Sequence, residues 1–240
     1  MRDADVLIVI PAHNEAENIG AVLEEVRHLA LACDVVVVDD GSRDGTLEVV
    51  HRLGIPCIRH PYNLGYGGAV QTGLRYARAR GYEVVVLMDG DGQHDAGQAP
   101  MLVETLRQTG ADLVIGSRFV ERTGYRVPAL RRVGMAFFSL LTWVFAGLRV
   151  RDVTSGFQAV SRRAVVFLSE EYPLDYPDAE TVILLVRSGF RVVEQRADVR
   201  PRRSGISMHS GLRTLYYPFR ALMGVIIVML RTLTRPGRAA

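Results

Sequence analysis

Residues 1–116 repeat one unit: a short apolar run rich in valine and isoleucine, a polar cluster, then a stretch with helical spacing. The apolar runs are "VLIVI" (6–10), "VVVVDD" (35–40), "PCIRH" (56–60), "EVVVLMD" (83–89) and "ADLVIGS" (111–117). Helices are expected over Glu15–Leu31, Asp44–Leu53, Gly68–Arg80 and up to Gln108. Continuous β-branched runs separated by helices predict an α/β fold with a mostly parallel central sheet and helices on both faces. In such sheets ligands collect beyond the carboxyl ends of the strands. The polar clusters "PAHNE" (11–15), "DDGSRD" (39–44) and "DGDGQHD" (89–95) all fall at such ends. A ligand site is therefore expected there.

The second half is less regular, and its charge differs. Residues 1–116 hold 9 Arg against 17 Asp and Glu, a balance of −8, whereas residues 117–240 hold 20 Arg against 9 acids, a balance of +11. All 29 basic residues are arginine. An acidic half suits a metal or polar ligand, and a basic half suits phosphates, an anionic membrane surface or nucleic acid. The run "VGMAFFSLLTWVFAGL" (133–148) lacks charge and is flanked by Arg131, Arg132, Arg149 and Arg151. A membrane-spanning helix needs roughly 20 apolar residues, so this run is short for one. It reads either as an interfacial helix or as a buried core helix. Residues 221–230, between Arg220 and Arg231 with paired tyrosines upstream, read as an interfacial anchor. Cys33 and Cys57 lack C-x-x-C spacing and read as buried thiols in a reducing compartment. No secretory leader is expected, because acids precede an opening apolar run too short for one.

Asp89 and Asp91 lie two apart at a strand end, a spacing that points both carboxylates the same way. With an amide oxygen from Gln93 they form a hard-oxygen set suited to Mg²⁺ or Mn²⁺. Gly90 and Gly92 leave room for a diphosphate to approach the backbone. A calcium loop would need Gly and Glu where His94 and Pro100 stand, and His94 has no second His or Cys at zinc spacing. An acidic turn is the competing reading, since Asp and Gly are favoured in turns. Asp44 or Ser42 could cap the helix that follows. Asp39 and Asp40 are adjacent acids that need donors, which a nucleobase or ribose could supply. Asn14 and Glu15 stand at the matching end of the first strand. "NLGYGGA" (63–69) lacks the glycine spacing and the distal acid of a dinucleotide fingerprint, and no Walker lysine exists.

As a set, "PAHNE", "DDGSRDGT", "NLGYGGA", "DGDGQHD", "GSR" (116–118) and "TSGF" (154–157) resemble the family 2 glycosyltransferases of the GT-A fold. "DGDGQH" is similar to the "DADLQH" form of dolichol-phosphate-mannose synthases. "GGAVQTG" (67–73), "DYPDAE" (175–180) and "RRSGISM" (202–208) look closest to bacterial undecaprenyl-phosphate N-acetylglucosamine or glucose synthases. "DAGQ" (95–98) departs from the mannose synthases, which carry two prolines there.

The resemblance implies a nucleotide-sugar pocket formed by Pro11, Ala12, Asn14, Glu15, Asp39, Asp40, Gly67, Asp89 and Gly90, with Asp40 accepting from the base imide N–H. It implies a metal held by Asp89, Asp91 and Gln93. It places the acceptor phosphate on Arg118, Arg131, Arg132, Arg202, Arg203 and Ser207. Asp91, Arg118, Arg203, Ser207, Asp178 and Glu180 then carry catalysis, the last two as bases only if the acceptor is a hydroxyl.

The domain expectation is a GT-A unit over residues 1–210, split into a nucleotide-sugar and metal half (1–116) and an acceptor half (117–210), then a membrane-associating helix over 211–240. The implied activity is inverting transfer from UDP-GlcNAc or UDP-Glc to undecaprenyl phosphate at the cytoplasmic membrane face. A GDP-mannose donor or a glycan hydroxyl acceptor is the alternative within the family. A small membrane partner protein and a homo-oligomer remain open, and no nucleic-acid partner is expected. Outside the family, a nucleotidyltransferase or a non-catalytic membrane-surface module stays in view.

Overall fold

The computed structural model describes residues 4–119, 129–174, 177, 179–200 and 223–230, with side chains from 138 onward in the helix that begins at 129. The expected strands of the first half form as β1 (Val6–Ala12), β2 (Cys33–Asp39), β3 (Cys57–Arg59), β4 (Val84–Leu87) and β5 (Leu113–Ser117). Between them lie α1 (Ile19–Arg27), α2 (Thr46–Arg52), α3 (Tyr66–Arg80) and α4 (Ala99–Thr109). The helix expected from Glu15 begins at Ile19. Glu15 instead opens a turn: its carbonyl accepts from Asn18 N and Ile19 N, while its own N–H donates to Thr46 Oγ1.

The described residues of the second half form further regular elements. It supplies α5 (Ala129–Ala146), β6 (Gln158–Ser161), α6 (Arg162–Glu171), α7 (Ala179–Arg187) and β7 (Val192–Arg196). The seven strands form one sheet in the order β3-β2-β1-β4-β6-β5-β7. Strand β6 runs antiparallel to both neighbours, and every other pairing is parallel.

Period-two side-chain alternation splits the core between the sheet's two faces. On β1, Leu7 and Val9 join α3, α6, α7 and Phe138 and Leu141 of α5 on one face. Val6, Ile8 and Ile10 join α1, α2 and α4 on the other. Helix α3 approaches β1 closely because position 73 has no side chain: a Cβ on Gly73 would overlap the Val9 side chain. Cys33 and Cys57 are free and half-buried rather than buried, and loss of solvation pushes both thiols above their ordinary pKa.

Residues 133–146 of the charge-free run lie in α5, which buries one side in the core and exposes another. Phe138, Leu141 and Thr142 are buried and the helix packs against α7, yet Leu140, Trp143 and Val144 stay more than half exposed. Arg149 lies over the Trp143 ring, 5.9 Å from its centroid. Residues 223–230 are helical, with Val225 and Val228 buried in the same core as α5 and α7. Met223, Ile226, Ile227 and Leu230 face outward. Among the described residues no helix is long and apolar enough to cross a membrane.

Replacing Gly73 with alanine forces a methyl into the α3–β1 contact. Overpacking of this kind typically costs about 1–3 kcal/mol, so urea denaturation should show a lowered midpoint at unchanged slope.

Candidate functional site

The site follows from strand directions. Parallel strands bring the carboxyl ends of β1, β2, β4 and β5 to one edge of the sheet. Antiparallel β6 enters from that same edge, so the residues just before it join the group. Leu87 pairs with Gln158, and continuing this antiparallel register by two residues sets Asp89 opposite Gly156. A Cβ on Gly156 would stand 2.5 Å from Asp89 Oδ2 and 2.6 Å from Oδ1, so the glycine of "TSGF" makes room for the carboxylate. On the other side Gly116 N donates to Phe157 O at 2.8 Å and Ser155 Oγ to Gly116 O at 2.6 Å.

Asp89 sits at the centre. Its Oδ2 lies 3.3 Å from His94 Nε2, and the imidazole is stacked on Phe157 with ring centroids 5.2 Å apart. Its Oδ1 is buried and has no hydrogen-bond partner. Burial pushes this carboxyl's pKa up, but hydrogen bonds from His94 and Tyr66, with the positive fields of His94 and Arg118, hold it below the ordinary range. It is therefore a carboxylate with one orphaned oxygen, as a cation ligand would be. Two residues on, Asp91 Oδ1 accepts from Gln93 N at 3.0 Å, and Gly92 makes the turn with φ +74°. Among the described residues no three His, Cys, Asp or Glu side chains gather into a metal cluster. Two carboxylates and an amide are hard oxygen donors of the kind Mg²⁺ or Mn²⁺ takes, and such an ion would need further oxygens from substrate phosphates or water.

The polar ends of β1 and β2 are latched to each other. Asn14, at φ +55°, donates its N–H to Ser42 Oγ at 2.9 Å and accepts from Arg43 N through Oδ1 at 2.8 Å. Ser42 thus holds Asn14 rather than capping α2. Asp44 accepts from Thr46 N, Thr46 Oγ1 and Ala16 N. Burial raises the pKa of Asp44, but these donors bring it below the ordinary carboxylate value.

The adjacent acids find donors inside the protein, and the base-reading role expected of Asp40 would share its carboxylate with them. Its oxygens accept from His60 Nδ1 at 2.7 Å, Leu64 N at 2.8 Å and Gly65 N at 2.8 Å. The buried carboxylate is held against the loop before α3. Asp39 accepts from Ser42 N through Oδ1, whereas its Oδ2 takes no hydrogen bond and lies 3.4 Å from Arg59 Nε.

Other expected pocket residues serve packing as well. Pro11 and Ala12 are buried on β1, paired with Val38 and Asp39. A Cβ on Gly67 would overlap the Leu174 carbonyl, and one on Gly90 would press Pro11 O and Ile19. Arg118, expected on the acceptor phosphate, forms a buried two-pronged ion pair with Asp152: Nε to Oδ2 at 2.7 Å and one terminal nitrogen to Oδ1 at 2.6 Å. Thr154 also accepts from that terminal nitrogen. Glu180 is buried on α7, where a Cβ on Gly224 would collide with its carboxylate. Asp178, Arg202, Arg203 and Ser207 lie outside the described residues, as do the side chains of Arg131 and Arg132. Reading the sequence did not single out Tyr66, His60, Asp152 and Gly156. Tyr66 and Gly156 already stood inside the quoted motifs.

This arrangement is an α/β strand-end site, acidic at the strand ends and braced by a strand of opposite direction. Residues 7–167 match the family model for Glycosyl transferase family 2, and the chain belongs to that family. It is 34% identical over 216 residues to an undecaprenyl-phosphate mannosyltransferase of Micrococcus luteus, covering 86% of this chain and 88% of that one. It is 30% identical to a polyprenol monophosphomannose synthase of Mycolicibacterium smegmatis, covering 85% and 81%. It is 29% identical to a UDP-N-acetylglucosamine–dolichyl-phosphate N-acetylglucosaminyltransferase of Methanococcus voltae, covering 71% and 75%. Among solved structures, glucosyl-3-phosphoglycerate synthase of Mycobacterium tuberculosis with Mn²⁺, UDP-glucose and phosphoglyceric acid superposes with a TM-score of 0.66. That match is at 23% identity over 97% of this chain and 81% of that one, a likeness of the GT-A fold.

Removing Asp152 leaves Arg118 buried without its counter-charge. Asp152→Ala is expected to cost about 3–5 kcal/mol in denaturant titrations. Asp44 behaves differently because its pKa is lowered in the folded state. Its stabilising effect is present above the unfolded carboxylate value of about 4 and fades as pH falls through the lowered one. Stability curves of wild type and Asp44→Asn should therefore be apart at pH about 7 and converge at low pH.

Proposed function

We propose that the protein transfers a glycosyl group from a nucleotide sugar to a polyprenyl phosphate at a membrane surface, releasing nucleoside diphosphate with inversion at the anomeric carbon. The observation that carries this reading is the carboxylate of Asp89, with one buried oxygen that takes no hydrogen bond, two residues before Asp91 at the joint carboxyl ends of the sheet. Asp89, Asp91 and Gln93 would hold Mg²⁺ or Mn²⁺, which supplies Lewis-acid stabilisation to the departing diphosphate. His94 and Tyr66 orient Asp89 for that role. Asp40 would accept from the nucleobase with the same carboxylate that holds the adjoining loop, while Asp39 is buried against Ser42 and Arg59. Arg118, kept in place by Asp152, contributes positive potential beside Asp89.

A phosphate monoester is already ionised near neutral pH, its second pKa being about 6, so it attacks without a strong general base. It needs orientation by cationic donors, which the arginine-rich second half offers. Burial of Glu180 against Gly224 speaks for this acceptor over a glycan hydroxyl. The named substrates of the curated relatives support it independently. The outward residues Leu140, Trp143, Val144, Met223, Ile226, Ile227 and Leu230 suit peripheral docking on the cytoplasmic membrane face. For the donor, the motifs favour UDP-GlcNAc or UDP-Glc. GDP-mannose is a second reading, favoured by the names of the relatives at 34% and 30% identity.

The test incubates the protein with Mn²⁺, undecaprenyl phosphate and labelled UDP-GlcNAc, UDP-Glc or GDP-mannose. Label entering the organic phase identifies the donor. Nucleoside diphosphate release that requires a glycan and leaves the lipid unlabelled would sink the acceptor assignment. Asp91→Ala should reduce transfer to below about one per cent of wild type, through loss of several kcal/mol of metal-borne stabilisation.

A further inference from the structure

The acidic loop has little regular structure of its own. Between the end of β4 at Leu87 and α4 it consists of a glycine turn followed by a 3-10 turn, Ala96–Gln98. The segment that leaves β7, residues 198–200, lies along it. Arg200 N donates to Gln93 O at 2.8 Å, and His94 and Val199 form an isolated antiparallel bridge. Asp198 N donates to Gln98 Oε1 at 2.9 Å, and Gln98 Nε2 returns a 3.4 Å bond to Asp198 O. The Arg200 guanidinium then spans two elements. One terminal nitrogen meets both oxygens of Glu25 on α1 at 2.8 and 2.9 Å, and the other lies 3.0 Å from Asp95 Oδ1. That Asp95 oxygen also caps the 3-10 turn, accepting from Gly97 N at 3.1 Å.

Half-exposed ion pairs like these contribute little to global stability. Their value here is positional. A carboxylate–amide ligand set must be held within about 0.5 Å to bind well, and this loop borrows its rigidity from outside itself. We propose that Arg200 is a positioning residue: through the Gln93 carbonyl and Asp95 it holds the acidic loop in the geometry that binds a divalent cation together with a nucleoside diphosphate. This role rests on the reading of Asp89, Asp91 and Gln93 as cation ligands. A planar fork reaching carboxylates on two elements is a geometry that lysine does not reproduce.

The test measures Mn²⁺ binding by loss of the free-ion EPR signal, with UDP and in parallel with GDP, on full-length wild type, Arg200→Ala, Arg200→Lys and Glu25→Gln. Metal-free nucleotide binding in EDTA and thermal midpoints are followed alongside. Arg200→Ala should weaken Mn²⁺ binding about tenfold, the lower end of what removal of outer-shell partners costs. Arg200→Lys and Glu25→Gln should fall between it and wild type, with metal-free nucleotide binding unchanged and added Mn²⁺ restoring turnover. Unchanged Mn²⁺ affinity in folded Arg200→Ala overturns the role, as does a parallel fall in metal-free binding. If wild type itself takes up no Mn²⁺ with either nucleotide, the cation reading of the loop fails, and Arg200's role fails with it.

Discussion

The whole site hangs on one reversed strand. Were β6 parallel, the "TSGF" residues before it would lie at the far edge of the sheet, away from Asp89. Its antiparallel entry between β4 and β5 delivers Asp152 through Phe157 to the carboxyl ends. Gly156 then admits the Asp89 carboxylate, Phe157 stacks on His94, and Asp152 neutralises Arg118. One hydrogen-bond register thereby places three otherwise unrelated groups around a single carboxylate.

Buried charge elsewhere in the site obeys one rule: each carboxylate out of water is met by donors. Asp40 takes the His60 ring and two backbone N–H groups, and Asp152 takes the Arg118 fork and backbone N–H. Two carboxylate oxygens lack a hydrogen bond among the described residues: Asp39 Oδ2, which is ion-paired with Arg59, and Asp89 Oδ1. Against a background in which acids are otherwise saturated, an unpartnered carboxylate oxygen at the strand ends is informative.

The helices on the second-half face add a different property. Helix α5 and residues 223–230 each bury one side in the common core and turn aromatic or aliphatic side chains outward. A run of apolar residues in sequence therefore has two destinations here. The inner positions stabilise the fold, and the outer ones leave an apolar surface on a domain whose arginines lie nearby, as Arg149 over Trp143 shows.

The first five strands, their helices and the collection of polar ends were legible in the sequence, because β-branched runs alternating with helical periodicity encode a parallel sheet locally. The acidic cluster at Asp89, Asp91 and Gln93 was legible as polar residues beyond a strand, although the strand ends at Leu87 and the cluster lies in a turn rather than on extended chain. Strands β6 and β7 were not, since "QAVS" and "VVEQR" are short and carry little periodic signal, and their place depends on pairing with distant strands. Nor could sequence separate Asp39 from Asp40, adjacent residues of one type whose roles are set by His60 and the 64–65 backbone. The links of Arg118 to Asp152, and of Arg200 to Glu25 across 175 positions, belong to tertiary structure alone. Local chemistry singled out the acidic strand ends as a candidate site for a cation and a diphosphate. Long-range register decided which of their residues the protein keeps for itself.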